Sequence, residues 1–270
     1  MNDFVSHLGC PLHFSVNGSG PSVLFIQGVA VHGDGWRPQT ESLADRFTCL
    51  SFDHRGMGRS NPVGDGAITV QQMADDARAI ADHAKCEEMH VVGHSLGGLV
   101  ALQFALANRR RVKSLTLMCT FGRGRDAAPL TPGMVWYGMR SRVGTRAMRR
   151  RGFLNLVMPR SVLAKADLEQ LAAVLAPLFG HDLGDLPPIA DAQLAAMRAF
   201  DAFPRLQELV GLPTLVLSAS EDRIAPPAAG RKLAAAIAGA RFIEVPDAAH
   251  GLPIHAAELV NEHLCSHFGS

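Results

Sequence analysis

Residues 89–100 read M-H-V-V-G-H-S-L-G-G-L-V. A short apolar run meets Gly-x-Ser-x-Gly and passes into an apolar pattern of helical spacing. This predicts a strand, a very tight turn and a helix, with Ser95 at the apex. Such a turn forces the serine backbone to positive φ, a strain of roughly 1–3 kcal/mol. Gly93 and Gly97 leave the room that strand and helix need to approach one another. The Ser95 hydroxyl is then lifted above the sheet edge, beside the unpaired N–H groups of a helix N-terminus. A serine in that setting is a candidate nucleophile. His94, next to it, is expected to pack beneath the turn.

The flanking chain repeats the strand–helix rhythm. Residues 10–17 read as an outer strand closed by N-G-S-G-P. The run S-V-L-F-I at 22–26 suits a strand buried on both faces. It leads into the glycine-rich loop Q-G-V-A-V-H-G-D-G-W and a helix over 36–46. A strand at 47–52 ends in D-H-R-G-M-G-R-S, and a helix follows at 69–85 with Met73, Ala77 and Ile80 on one face. After the central stretch come a helix to residue 108 and a strand at 114–120. From about 121 to 206 the strands stop and helical patterns dominate. Alternation resumes with a strand at 214–219, a helix at 227–238, a strand at 241–245 and a C-terminal helix at 254–267. The expected fold class is therefore α/β: a mostly parallel, doubly wound sheet with an inserted helical segment. Residues 1–120 and 207–270 make the core domain and 121–206 a lid placed over the carboxyl ends of the strands, where open α/β sheets hold their ligands.

Composition narrows the classes. The chain has 270 residues, 47% of them hydrophobic, with 26 Lys and Arg against 25 Asp and Glu. A sizeable core is available, and the balanced charge gives no global attraction for nucleic acid or membranes. Five scattered cysteines, Cys10, Cys49, Cys86, Cys119 and Cys265, never form C-x-x-C; they point to reduced thiols in a cytoplasmic protein rather than a disulfide framework or a zinc site. The N-terminal sequence lacks a basic region followed by an apolar core, so no signal peptide is expected, and no apolar run approaches a membrane span. Neither metal nor cofactor is expected. Oligomeric state is not encoded in any pattern seen.

A serine hydroxyl needs a base within hydrogen-bond reach, and the base needs a group that fixes its tautomer. Two later loops offer them, each just past a strand. S-A-S-E-D-R-I-A-P-P carries Glu221 and Asp222, and E-V-P-D-A-A-H-G carries Asp247 and His250. The order is serine, acid, histidine. Of the twelve histidines, only His250 is assigned chemistry. Asp247 reads as a turn residue.

With these motifs in place the chain resembles the serine α/β-hydrolases of the lidded esterase type over nearly its whole length. The matching motifs are the loop Q-G-V-A, D-H-R-G-M-G-R-S, G-H-S-L-G-G, and the pair E-D-R-I-A-P-P and D-A-A-H-G. The resemblance implies Ser95 as nucleophile, His250 as base and Asp222 as acid, since Asp222 rather than Glu221 occupies the acid position of the family's x-D-x-I/V-x-P pattern. It implies an oxyanion hole built from the backbone N–H groups of Leu96 and Val29. It also implies a cofactor-free esterase acting on a small-molecule ester with a small to medium apolar acyl group. Many members have His-Gly where this chain has Gln27-Gly28, which leaves the role of side chain 27 open and lets His32 compete for that space. Relatives that use aspartate as nucleophile are set aside by Ser95. The epoxide hydrolases among them also need two lid tyrosines, and Tyr137 is the only tyrosine. Thioesters, lactones and C–C bonds remain alternatives on the same triad, as does a ligand-binding protein without turnover.

Between 121 and 165 the cations Arg123, Arg125, Arg140, Arg142, Arg146, Arg149, Arg150, Arg151, Arg160 and Lys165 face one anion, Asp126. Two readings stand: a solvated helix face, or attraction for an anionic substrate or lipid surface. The same segment carries Met134, Val135, Trp136, Met139, Met148, Phe153, Leu154, Leu156, Val157 and Met158, most of them expected to pack the lid against the core.

Overall fold

The computed structural model describes residues 2–127, 136, 138–140 and 142–269. Along the chain run β1 (Asn2–His7), β2 (Cys10–Asn17), β3 (Ser22–Ile26), α1 (Arg37–Ser42), β4 (Thr48–Phe52), α2 (Val70–His83), β5 (Met89–His94), α3 (Leu96–Ala107) and β6 (Val112–Met118). A helical insertion follows, with α4 (Arg146–Val157), α5 (Arg160–Leu163), α6 (Leu168–Phe179) and α7 (Ala190–Ala199). The chain closes with β7 (Thr214–Ala219), α8 (Pro227–Ala236), β8 (Arg241–Val245), α9 (Leu252–His255) and α10 (Ala257–Phe268).

The described strands form one sheet in the order β1-β2-β4-β3-β5-β6-β7-β8. β2 pairs antiparallel with β1 and β4, and every other pairing is parallel. Residues 10–17 thus form the expected strand, but β1 lies outside them at the edge. The chain runs from β3 outward to β4 and then crosses back past β3 to β5. The loops leaving the adjacent carboxyl ends of β3 and β5 part there and open a crevice. Gly28-Val29 follows β3 and Ser95 follows β5, so the topology alone brings them to one place.

Alternating side chains feed two apolar layers, which is why the central strands read as unbroken apolar runs. Leu24 and Ile26 of β3 join Val91, Val216 and the buried faces of α2, α3 and α8. Val23 and Phe25 point the other way, to Trp36, Val92, Leu215, Leu217 and Val260, Leu264 and Phe268 of α10. α2 begins at Thr69, whose hydroxyl accepts from the Gln72 N–H at 3.0 Å, and its Met73, Ala77 and Ile80 are buried as expected.

The insertion has its own apolar cluster, in which Leu154, Val157, Ala172, Leu175, Phe179 and Leu183 enclose Val31 of the β3 loop. Its two ends meet: Gly124 N–H donates to the Phe200 carbonyl at 2.9 Å and Ala202 N–H to the Gly122 carbonyl at 2.8 Å. Leu154, Val157 and Met158 are buried, whereas Trp136 and Met139 are exposed, against the expectation that they pack inward. Met134, Val135 and Tyr137 lie outside the described residues.

The basic stretch is neutralised largely from within. Arg142 pairs with Asp191 at 2.8 Å, Arg146 and Arg149 with Asp185 at 3.1 Å each, and Arg150 with Asp182 and Glu169. The Arg140 guanidinium lies 5.1 Å over the Trp136 ring. These anions come from the second half of the insertion, beyond the one-sided run. The arrangement favours a solvated, ion-paired face, in which each exposed pair contributes about 0–1 kcal/mol. The five cysteines are free thiols, four of them buried. Among the described residues no helix is long and apolar enough to cross a membrane.

Candidate active site

The turn after β5 is as tight as its glycines require. Ser95 sits at φ 55°, ψ −120°, in the region that β-carbon sterics disfavour. A methyl group on Gly97 would lie 2.1 Å from the Ile26 carbonyl oxygen, and one on Gly93 would lie 2.3 Å from the Gly97 carbonyl oxygen. Only hydrogen at both positions lets α3 leave the sheet this closely. The strained residue is held on both sides: its N–H donates to the Met118 carbonyl at 3.0 Å, and the Thr120 hydroxyl donates to its carbonyl at 2.7 Å.

Ser95 Oγ lies 3.0 Å from His250 Nε2, and His250 Nδ1 lies 2.8 Å from Asp222 Oδ2. All three residues are buried. With Asp222 ionised, Nδ1 carries the proton and donates to the carboxylate, leaving Nε2 to accept from the serine hydroxyl. The other oxygen, Asp222 Oδ1, accepts from the Ile224 and Ala225 N–H groups at 2.8 Å each, so the carboxylate is fixed in orientation. Its loop and the histidine loop are also joined directly, through Glu221 N–H to the Ala248 carbonyl at 2.7 Å. The Glu221 side chain turns away and accepts from the Arg160 N–H at 3.1 Å. Asp247 sits at φ 50° in the turn after β8.

His94 does more than pack beneath the turn. Its Nε2–H donates to the His250 carbonyl at 2.7 Å, with the two rings 4.9 Å apart. Burial pushes His94 down to about 3, so it is neutral at physiological pH. Cys119, behind it, is fully buried, and burial raises its thiol well above the usual range. His94, Cys119 and His250 bring their donor atoms within 4.8 Å of one another. Three of the four histidine nitrogens already make hydrogen bonds: both of His250, to the serine and aspartate, and Nε2 of His94, to a carbonyl.

The β3 loop passes against Ser95, where a methyl group on Gly28 would come within 3.1 Å of the serine Cβ. Gln27 folds back on this loop, its Oε1 accepting from the Gly28 N–H at 3.1 Å. Its carbonyl accepts from His54 Nε2 at 2.9 Å, which gives the D-H-R-G loop a task that sequence reading did not assign. His32 does not take the place of side chain 27; it packs under Gly180 of the insertion. Leu96 is the first residue of α3, so its N–H has no intrahelical acceptor.

The insertion reaches the β3 loop and the loops that carry Asp222 and His250. Gly251 N–H donates to the Val157 carbonyl at 2.7 Å, and the Arg160 contact to Glu221 falls beside Asp222. At the β3 loop, Ala30 N–H donates to Gln193 Oε1 at 2.9 Å and His181 Nε2–H to the Ala30 carbonyl at 2.8 Å. Neither Gln193 nor His181 carries a motif; only contact across some 150 residues reveals them.

A family model described as the alpha/beta hydrolase fold matches residues 21–256. The chain belongs to the α/β-hydrolase fold family. It is similar to a protein of Azorhizobium caulinodans provisionally named carbamate hydrolase RutD, 31% identical over 263 residues that cover 96% of this chain and 95% of the relative. Among solved structures it is similar to a thermophilic esterase from Thermogutta terrifontis, with a TM-score of 0.79 and 27% identity over 98% of this chain and 97% of that one. It is also similar to the enol-lactonase of Burkholderia xenovorans, with a TM-score of 0.76 and 27% identity over 99% of this chain and 100% of that one.

Proposed function

We propose that this hydrolase cleaves a carboxylic ester of a small to medium apolar acyl group through an acyl-enzyme intermediate. The observation that supports it most is the hydrogen-bonded series Ser95 Oγ, His250 Nε2, His250 Nδ1, Asp222 Oδ2, at 3.0 and 2.8 Å. Ser95 Oγ attacks the ester carbonyl while His250 takes its proton. Asp222 steadies the imidazolium that forms. The carbonyl oxygen gains negative charge and is met by the N–H groups of Val29 and Leu96. Collapse of the tetrahedral intermediate breaks the C–O bond, and His250 returns the proton to the departing alcohol. Water, deprotonated by the same histidine, attacks the acyl-enzyme, releasing the acid and restoring Ser95. No step calls on a metal or cofactor. The insertion acts as the lid that shapes the acyl pocket, and the five free thiols suit work in the cytoplasm.

A second reading is favoured by the name of the 31% identical relative: the scissile carbonyl belongs to a carbamate. The same triad serves, but the nitrogen lone pair makes that carbonyl less electrophilic, so more of the barrier must be met by the two N–H donors.

Active-site titration with a fluorophosphonate, together with turnover of p-nitrophenyl butyrate and p-nitrophenyl carbamates, tests both readings. Labelling is expected at Ser95, with burst release of p-nitrophenol. Ser95→Ala is expected to lose roughly three or more orders of magnitude in kcat with the fold retained. Near-wild-type turnover in that variant would sink the assignment. A higher kcat/KM on carbamates than on esters of equal leaving group would favour the second reading.

A further inference from the structure

Resting on the oxyanion role of Val29, we propose that Gln193 is a positioning residue that orients this donor from the insertion. Residues 27–31 contain four peptide units. The unit joining Gln27 to Gly28 is held at both poles, its carbonyl by His54 Nε2 and its N–H by Gln27 Oε1. The unit joining Val29 to Ala30 is held through the Ala30 N–H by Gln193 Oε1 at 2.9 Å, and the unit joining Ala30 to Val31 through its carbonyl by His181 Nε2 at 2.8 Å. The unit between Gly28 and Val29 carries the Val29 N–H. Its direction is set by the clamped units on either side.

Two further observations set Gln193 apart from a residue that merely fills space. Ala30 lies at φ 59°, a left-handed conformation that a β-carbon opposes and that an external partner must sustain. Gln193 is fully buried, and its Nε2 has no partner among the described residues. A buried amide with one end unsatisfied is costly, so this side chain is better matched to the Ala30 N–H than to its own surroundings. Because the acceptor is required by the Ala30 N–H, the amide orientation follows from the network.

The donor acts where charge develops, so losing its orientation lowers kcat more than it raises KM. The test compares Gln193→Met, which keeps volume but removes the acceptor, with Gln193→Glu, which keeps an acceptor oxygen. Rates on p-nitrophenyl butyrate are expressed per site titrated by a fluorophosphonate, so unfolded or inactive molecules do not count. Gln193→Met is expected to lose about 10–100-fold in kcat per titrated site with KM within about threefold, and Gln193→Glu to regain most of that loss. A Gln193→Met enzyme with wild-type kcat per titrated site overturns the proposal while leaving the Ser95 mechanism standing. So does equal impairment of the two variants. Undiminished turnover in Ser95→Ala overturns the mechanism and this role together.

Discussion

The imidazole of His94 donates from Nε2 to the backbone carbonyl of His250 at 2.7 Å, so the residue just before Ser95 holds the backbone of His250. The two are 156 residues apart in sequence, His94 at the end of β5 and His250 in the loop after β8. Replacing His94 by Ala leaves the buried His250 carbonyl without a donor, at a cost of about 1–3 kcal/mol. The expected outcome is a lowered melting temperature and a fall in kcat on p-nitrophenyl butyrate, with KM little changed. His94→Asn, which still offers an N–H, is expected to recover part of both. Parallel melting curves and Michaelis kinetics on the three proteins check it.

Buried histidines make stability depend on pH with a definite sign. Burial pushes His90 down to about 4 and His94 to about 3, and lowers His54 as well. Each is held neutral in the folded state, so its favourable contribution is complete above the ordinary value near 6.5. As pH falls below that value the unfolded chain takes up protons that the folded chain refuses, and stability is lost until the folded-state values are reached. Thermal melts are expected to give a midpoint on the order of 10 °C lower at pH 4.5 than at pH 7.5. His90→Gln, which keeps a partner for the Ser114 hydroxyl, is expected to shrink the difference.

The loop after β4 hangs on a buried ion pair. Arg55 Nε and Nη2 donate to the two oxygens of Asp76 on α2 at 2.6 Å each, and both side chains are essentially inaccessible. His7 and Gln72 complete the carboxylate's partners at 2.7 and 3.1 Å. Asp76→Asn strands the guanidinium, and chemical denaturation is expected to show a loss of about 3–5 kcal/mol. Activity per folded molecule is expected to fall less, since the loop keeps its links to the β3 loop through His54 with the Gln27 carbonyl and Asp53 with the Gly33 N–H.

Gly97 gives the sharpest steric prediction. A methyl group there meets the Ile26 carbonyl at 2.1 Å and that of Gln27 at 2.5 Å. Backbone cannot yield as a side-chain tip can, so Gly97→Ala is expected to cost upwards of about 3 kcal/mol or to prevent soluble expression. A melting temperature within a few degrees of wild type would show that the strand–helix approach is looser than these contacts require.

Sequence patterns reach the parts of this molecule in which neighbours in space are neighbours in sequence. The run at Thr214–Ala219 is a strand with the expected bounds because burial on both faces leaves a nearly unbroken apolar signature; Arg241–Val245 also keeps its expected bounds, although as an edge strand it exposes Arg241 and Glu244. β1 escapes that reading because, as a half-exposed edge strand, it carries only Phe4 and Val5 as apolar marks. The pattern at 254–267 predicts one continuous C-terminal helix. It breaks at Ala256, φ −123°, where no glycine or proline announces it. In the site, Ser95, Asp222 and His250 are legible because each follows a strand end. The partners of Ala30 are not, since a glutamine and a histidine in a helical segment look like any others. The arginine run leaves two readings open for the same reason: its counter-charges include Glu169, Asp182, Asp185 and Asp191, which become neighbours only when the insertion folds.

The meeting of the two ends of the insertion, Gly122 and Gly124 against Phe200 and Ala202, has an evolutionary side. A segment whose ends touch can be exchanged between related proteins as a cassette, because replacing it leaves the spacing of β6 and β7 untouched. Yet this cassette also carries Gln193, His181, Val157 and Arg160, which grip the loops of Ala30, Gly251 and Glu221. A graft that brings a new insertion without those grips inherits the sheet but not its tuning. Exchange of the insertion is therefore tethered to inconspicuous positions such as these, and a chimera designer would transplant them first.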